Sequence, residues 1–416
     1  MISSWIEIPA KSDFPLENIP FGIAKKDAII SPATRIGDQV VLLSVLADYG
    51  YFDDLDLEDL NVFYQPVLND LISLHKVQRN GIRNRLINLF SDTCDDLKRN
   101  NEIKKEAFFD FTKVEMLLPV KIGDYTDFYS SIEHATNVGI MFRDPSNALF
   151  PNWRHLPVGY HGRSSSIVVS GTNIHRPKGQ TRPDDNQPPV FGPSKQVDFE
   201  LEIGFITSGK TALGESISVK EAENHIFGLA LFNDLSARDI QRWEYVPLGP
   251  FLSKSFGSIL SPWIVTLEAL EPFRTAGPDQ EPEVMPYLKA SGNSNFDIQL
   301  EVSLRPENSE ENLVCTSNFR YMYWSMAQQL AHQTVAGCNI NPGDLYASGT
   351  ISGPTPDSYG SMLELAWKGT KPLIINDGSK RVFIQDNDTV IIRGFAEKDG
   401  LRIGFGECVT KILPAK

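Results

Sequence analysis

Acidic and apolar residues alternate from Asp198 through Phe199, Glu200, Leu201 and Glu202 to Ile203, and that alternation reads as a β-strand with two faces of opposite character. Residues two apart on a strand share a face, so Glu200 and Glu202 stand side by side while Phe199, Leu201 and Ile203 point the other way. Two carboxylates held that close repel unless a cation or a proton is shared between them. Asp234, just after the apolar run Ile226 to Phe232, could supply a third ligand. A set of oxygen ligands favours Mg2+ or Ca2+ over Zn2+. With no cation, the same Glu-x-Glu is the wet face of a half-buried strand, and the residues gathered around it decide between the two.

A chain of 416 residues exceeds one ordinary core, so two domains are expected. Its 39 basic and 53 acidic residues leave a net charge of −14, which repels phosphate backbones and anionic bilayers. Neither nucleic acid nor a membrane is an expected partner, and an anionic substrate would need a locally basic pocket. Cys94, Cys315, Cys338 and Cys408 show no Cys-x-x-Cys spacing, which suggests neither a zinc site nor a disulfide framework. The segment Met1 to Glu7 has no basic or apolar leader character, and no apolar run approaches a membrane span. The expected location is cytoplasmic.

Residues 1–117 read as a small N-terminal domain. Short β-like runs (Phe21 to Ala24, Gln39 to Leu43) give way to helical periodicity through Leu68, Leu71, Ile72, Ile82, Leu86 and Leu89. Residues 118–416 read as a β-rich domain, with short strands separated by turn signals. Among these are Phe199 to Ile206, Phe296 to Leu304, Met362 to Trp367, Val390 to Arg393 and Leu401 to Phe405. One helix is expected over Asn318 to Val335, stopped by Gly337. The stretch Arg176 to Pro193, with five prolines, is expected to be an ordered loop over the surface.

Chemistry-bearing residues concentrate in two further places. Asp124, Asp127, Tyr129, Ser130, Ser131 and His134 fall within a dozen positions, a density that suggests a site with His134 as a candidate base. Arg238 and Lys254 flank a polar run and could neutralise an anion beside a metal. The segment Gly249 to Ser255 fails the Walker pattern, because Ser253 and not Gly precedes Lys254. No dinucleotide fingerprint and no Gly-x-Ser-x-Gly elbow is present, so hydrolysis would have to use water.

The motifs Ile122 to Tyr129, His134 to Gly139, Leu156 to Arg163, Asp234 to Gln241 and Gly349 to Gly353 together resemble the fumarylacetoacetate hydrolase family over nearly the whole chain. The resemblance implies a mainly β fold with α+β elements, in which a small SH3-like barrel precedes a mixed β-sandwich roll, assembled as a homodimer. It implies Ca2+ or Mg2+ on Asp127, Glu200, Glu202 and Asp234, with His134 as general base oriented by Glu364. Arg238, Gln241 and Lys254 would stabilise developing charge, and Tyr129, Arg143, Tyr160, Gln241, Tyr245 and Thr350 would contact substrate. A second cation would use the region of Lys254, Gly257 and Ser258, where Ser stands in place of an expected Thr.

The implied reaction is hydrolysis of a carbon–carbon bond in a β-diketo acid, 4-fumarylacetoacetate, giving fumarate and acetoacetate at the end of tyrosine and phenylalanine breakdown. Two other readings compete. Decarboxylation or tautomerisation of a related oxo-acid would keep the metal but needs no activated water, so His134 with Glu364 discriminates against it. A structural cation in a non-enzymatic scaffold would need neither a base nor the cations Arg238 and Lys254.

Overall fold

The computed structural model describes residues 2–416. Its first sheet is antiparallel and five-stranded, in the order Phe108–Asp110, Gln39–Leu42, Ile29–Ile36, Phe21–Lys26 and Glu115–Leu117. Helices Asn69–Ser73 and Lys76–Phe90 carry the periodic apolar positions, and Leu68, Leu71, Ile72, Ile82, Leu86 and Leu89 are all buried.

Two larger sheets follow. A mixed eight-stranded sheet runs Gly159–His161, Tyr125–Phe128, Leu345–Ala347, Leu201–Thr207, Ile226–Asp234, Ser258–Leu260 and Ile167–Val169, with Val265–Thr266 also pairing Ile226–Asp234. A five-stranded sheet orders Asn312–Asn318, Gln299–Arg305, Thr389–Lys398, Leu401–Leu413 and Ile174–His175. Period-two alternation divides the cores. Leu201, Ile203, Phe205, Leu229 and Leu231 pack with Leu300, Val302, Ile392 and Phe405 of the second large sheet. Ala230, Phe232, Leu260 and Leu345 pack instead with Phe21, Ile23 and Val41 of the N-terminal sheet. The central sheet is therefore buried on both faces, each large apolar side chain contributing about 1.5–3 kcal/mol relative to exposure.

Three carboxylates sit on the face turned toward the N-terminal core. Asp127 is two residues from Tyr125, Asp234 is two from Phe232, and Glu202 is the cross-strand partner of Phe232. A buried face tolerates such groups only when they are paired, protonated or metal-bound.

Three expectations need correction. Asn318 to Val335 is not one helix: Asn318 closes a strand, and the helix is Met326–Thr334, started by a reciprocal capping box between Ser325 and Gln328. Met362 to Trp367 is not a strand, because the Ser361 hydroxyl accepts from the Glu364 N–H and starts the short helix Met362–Leu365. Within Arg176 to Pro193, Lys178–Thr181 and Val190–Pro193 pair as an antiparallel hairpin. That hairpin packs on helix Arg238–Glu244, where an added Cβ at Gly179 would meet Ile240 at 2.6 Å.

Candidate active site

Asp127, Glu200, Glu202 and Asp234 converge, each with a carboxylate oxygen within 4.8 Å of the others', and all four are buried. The sheet register makes this meeting. Asp127 is the partner of Ala347, Leu201 faces Asn233, and Asp234 closes its strand against Ser258. Gly349, with a φ of +77°, lies where an added Cβ would meet the Phe128 carbonyl at 2.4 Å. That close approach lets its N–H donate to Glu202 Oε2 at 3.1 Å.

Lysine and arginine neutralise part of this charge. Lys254 Nζ donates to Glu200 Oε2 at 2.5 Å and to Asp234 Oδ2 at 2.6 Å. Arg238 Nη2 lies 2.7 Å from Glu200 Oε1, and its Nη1 donates to Gln241 at 3.2 Å. Burial alone would raise the Glu200 pKa, but the two cations outweigh it and hold the carboxylate well below its usual range. Asp127 and Glu202 go the other way: burial and then the neighbouring carboxylates push both well above the usual range. Burial costs the Lys254 ammonium, yet Asp234 and Glu200 reverse the effect and keep it charged.

Asp127 Oδ1 and Glu202 Oε1 are buried with no hydrogen-bond partner. Unsatisfied acceptors of that kind are costly, and a divalent cation fits them because every donor in the cluster is a hard oxygen. Tyr160 donates to Asp234 Oδ2 at 3.3 Å. Ser258 donates to Asp234 Oδ1 at 2.7 Å, so the Lys254 and Ser258 side chains both meet the first cluster, while an added Cβ at Gly257 would press on Ile174.

His134 approaches from helix Ile132–Phe142, whose Ser131 cap accepts from the His134 N–H at 3.2 Å. Its Nδ1 lies 2.7 Å from Glu364 Oε2. Glu364 also accepts from Asn137 at 2.9 Å, Ser361 at 2.9 Å and Ser352 at 2.9 Å. Burial opposes its charge, but His134 and these donors bring its pKa below the usual range. An ionised Glu364 holds a proton on Nδ1 and leaves Nε2 as the acceptor. Glu200 bridges to Ser361, whose hydroxyl donates to Glu364, so the pair adjoins the acidic cluster.

Of the remaining sequence candidates, Tyr129 stands against this pair. The Tyr129 ring stands edge-on to His134 at 5.2 Å between centroids, and its hydroxyl feels Arg143. The Arg143 guanidinium covers the Phe150 ring at 4.2 Å. Thr350 is buried beside Gly349, whereas Gln241 is half-buried and Tyr245 is exposed at the end of helix Arg238–Glu244. Sequence reasoning assigned nothing to Asn137, Ser352 or Ser361. Asn137 stands three residues after His134, a helical spacing that puts both on one side.

A family model described as "Fumarylacetoacetate (FAA) hydrolase C-terminal" matches residues 125–413, and one described as "Fumarylacetoacetase N-terminal" matches residues 17–119. A fumarylacetoacetase of Dictyostelium discoideum is 54% identical, covering 100% of this chain and 99% of its own length. That of Homo sapiens is 52% identical, covering 99% of each. Among solved structures, a fumarylacetoacetate hydrolase from Exiguobacterium antarcticum aligns with a TM-score of 0.53 at 15% identity, covering 96% of this chain and 100% of that one. A maleylpyruvate hydrolase from Sphingobium aligns with a TM-score of 0.51 at 13% identity, covering 95% and 100%. At those identities the likeness concerns the fold.

Proposed function

The chain belongs to the fumarylacetoacetate hydrolase family, and from that premise we propose that it hydrolyses the carbon–carbon bond of 4-fumarylacetoacetate to fumarate and acetoacetate, the last step of tyrosine and phenylalanine catabolism. One observation carries this reading: the buried His134–Glu364 pair adjoins, through Ser361 that bridges to Glu200 and donates to Glu364, a carboxylate cluster that already holds Lys254 and Arg238. Decarboxylation needs no such base, and a structural cation needs no such cations.

A divalent cation, Ca2+ or Mg2+, held by Asp127, Glu200, Glu202 and Asp234 would supply a Lewis acid for the diketone oxygens. His134 Nε2 takes a proton from water, and the hydroxide oxygen bonds to the carbonyl carbon on the fumaryl side. Negative charge then develops on that carbonyl oxygen, where Arg238, Gln241 and Lys254 stabilise it. The bond from this carbon to the methylene breaks, and its electron pair leaves as the enolate of acetoacetate, which takes up the proton that His134 had accepted. Arg143, with Tyr129, Tyr160, Tyr245 and Thr350, binds the diketo acid.

The five-stranded N-terminal sheet serves in this reading as the SH3-like barrel. A homodimer is supported by the exposed apolar side chains Phe191, Val246, Leu248 and Phe251, and a cytoplasmic location by four free cysteines. Incubating the protein with fumarylacetoacetate tests the activity: fumarate and acetoacetate should appear in equal amounts. Release of CO2 or a rearranged oxo-acid instead would replace hydrolysis with one of the competing chemistries.

A further inference from the structure

Asp198 heads the acidic run yet has none of the roles above, and it is fully buried. Its short strand, Val197–Asp198, pairs with Ser236–Ala237, which leads directly into helix Arg238–Glu244. Asp198 Oδ1 accepts from the Met362 N–H at 2.7 Å, and Oδ2 accepts from the Leu363 N–H at 3.0 Å and from Arg238 Nε at 2.8 Å. One carboxylate thus joins the turn that carries Glu364 to the arginine that faces Glu200.

We infer that Asp198 is a positioning residue, which fixes the His134–Glu364 pair relative to the Arg238 side of the acidic cluster. The inference rests on the function proposed above. A water activated by His134 must meet a substrate oriented by the cluster, and a misplacement of about 1 Å can cost on the order of a hundredfold in rate. Neither Glu364 nor Arg238 can hold that spacing alone, because they lie on separate elements.

Asp388 provides the control. It is also buried, accepts from Arg381 Nε at 2.8 Å and Nη2 at 3.0 Å, and accepts from the Gln385 N–H at 2.9 Å, but it touches nothing in the site. Asp198→Asn and Asp388→Asn are compared in the metal-loaded full chain with fumarylacetoacetate. The amide keeps the shape but has one acceptor oxygen, so it cannot serve both peptide N–H groups and Arg238. Asp198→Asn should lower kcat by about 10- to 100-fold with KM changed less than about threefold, whereas Asp388→Asn should leave kcat unchanged even where thermal stability falls equally. In a Glu364→Gln background, Asp198→Asn should cost almost nothing more, because both act through one unit. An unchanged kcat in Asp198→Asn, an equal kcat loss in Asp388→Asn, or multiplicative losses with Glu364→Gln would overturn the inference.

Should Asp198→Asn not fold, Asp198→Glu reads the same contact: the charge and both acceptor oxygens remain, but one added methylene takes the carboxylate off the spacing that joins the Met362 and Leu363 N–H groups to Arg238. The same kcat-selective loss is expected, and its absence counts against Asp198. A parent protein inactive on fumarylacetoacetate would refute the proposed function instead, so the two failures are separable.

Discussion

His134 Nδ1 and Glu364 Oε2 lie 2.7 Å apart although 230 positions separate them in the chain. The pair joins helix Ile132–Phe142 to the short helix Met362–Leu365, and four further contacts from Asn137, Ser352 and Ser361 hold the carboxylate in place. Glu364→Gln keeps the shape but removes the charge that sets the imidazole tautomer. Its kcat should fall by about two to four powers of ten, while a non-reacting substrate analogue binds nearly unchanged in calorimetry. The double variant with His134→Asn should be little worse than either single one; independent, multiplicative losses would dissolve the dyad.

Glu202→Ala should abolish both metal binding and turnover, because it removes one of the two buried cluster oxygens that have no protein partner. The exposed Glu221 should be replaceable by alanine with little effect. Elemental analysis of the two variants checks this, and full turnover by chelator-treated, metal-free protein would contradict the metal assignment.

The raised pKa values of Asp127 and Glu202 give the metal-free protein a pH signature. Where folding raises a carboxyl pKa, the folded state holds protons that the unfolded chain has lost, so stability falls as pH climbs from the ordinary carboxylate range near ~4 through the raised values. Glu200 and Glu364 are lowered and lose their stabilising effect only below that range, so they do not offset the fall. Thermal unfolding in chelator should therefore weaken with rising pH, and added Ca2+ or Mg2+ should restore more stability at pH 8 than at pH 5.5, with protons released on binding. Parallel pH profiles with and without the cation would refute this assignment of protons.

Arg143 presents a fixed planar cation over Phe150, a geometry that lysine does not reproduce. Arg143→Lys should weaken use of the dicarboxylic substrate more than that of a short neutral diketone, as read in kcat/KM. Equal losses on both would remove Arg143 from carboxylate recognition.

The acidic cluster was partly legible because strand parity is local: Glu200 and Glu202 must share a face, and Phe199, Leu201 and Ile203 do enter the opposite core. Asp127 is brought in by parallel pairing with Leu345–Ala347, a long-range register that only the family resemblance could suggest. The setting of Glu364 is not legible locally, because Met362, Leu363, Leu365 and Ala366 are apolar enough for a buried strand, while a serine cap and the contacts from Asp198 impose a helix. The expected helix from Asn318 failed for a readable reason: the Ser325-x-x-Gln328 capping box marks its true start. No local pattern announces that Lys254 crosses 54 residues to reach Glu200.

The central claim is that water activated by His134 cleaves the diketone, and single turnover of fumarylacetoacetate in 18O-labelled water tests it most directly. The account predicts one 18O atom in the new carboxylate of fumarate, none introduced into acetoacetate by the cleavage step, and loss of both label transfer and cleavage by about a hundredfold or more in His134→Asn. Fumarate formed without solvent oxygen, or cleavage at the parent rate in His134→Asn, would contradict it.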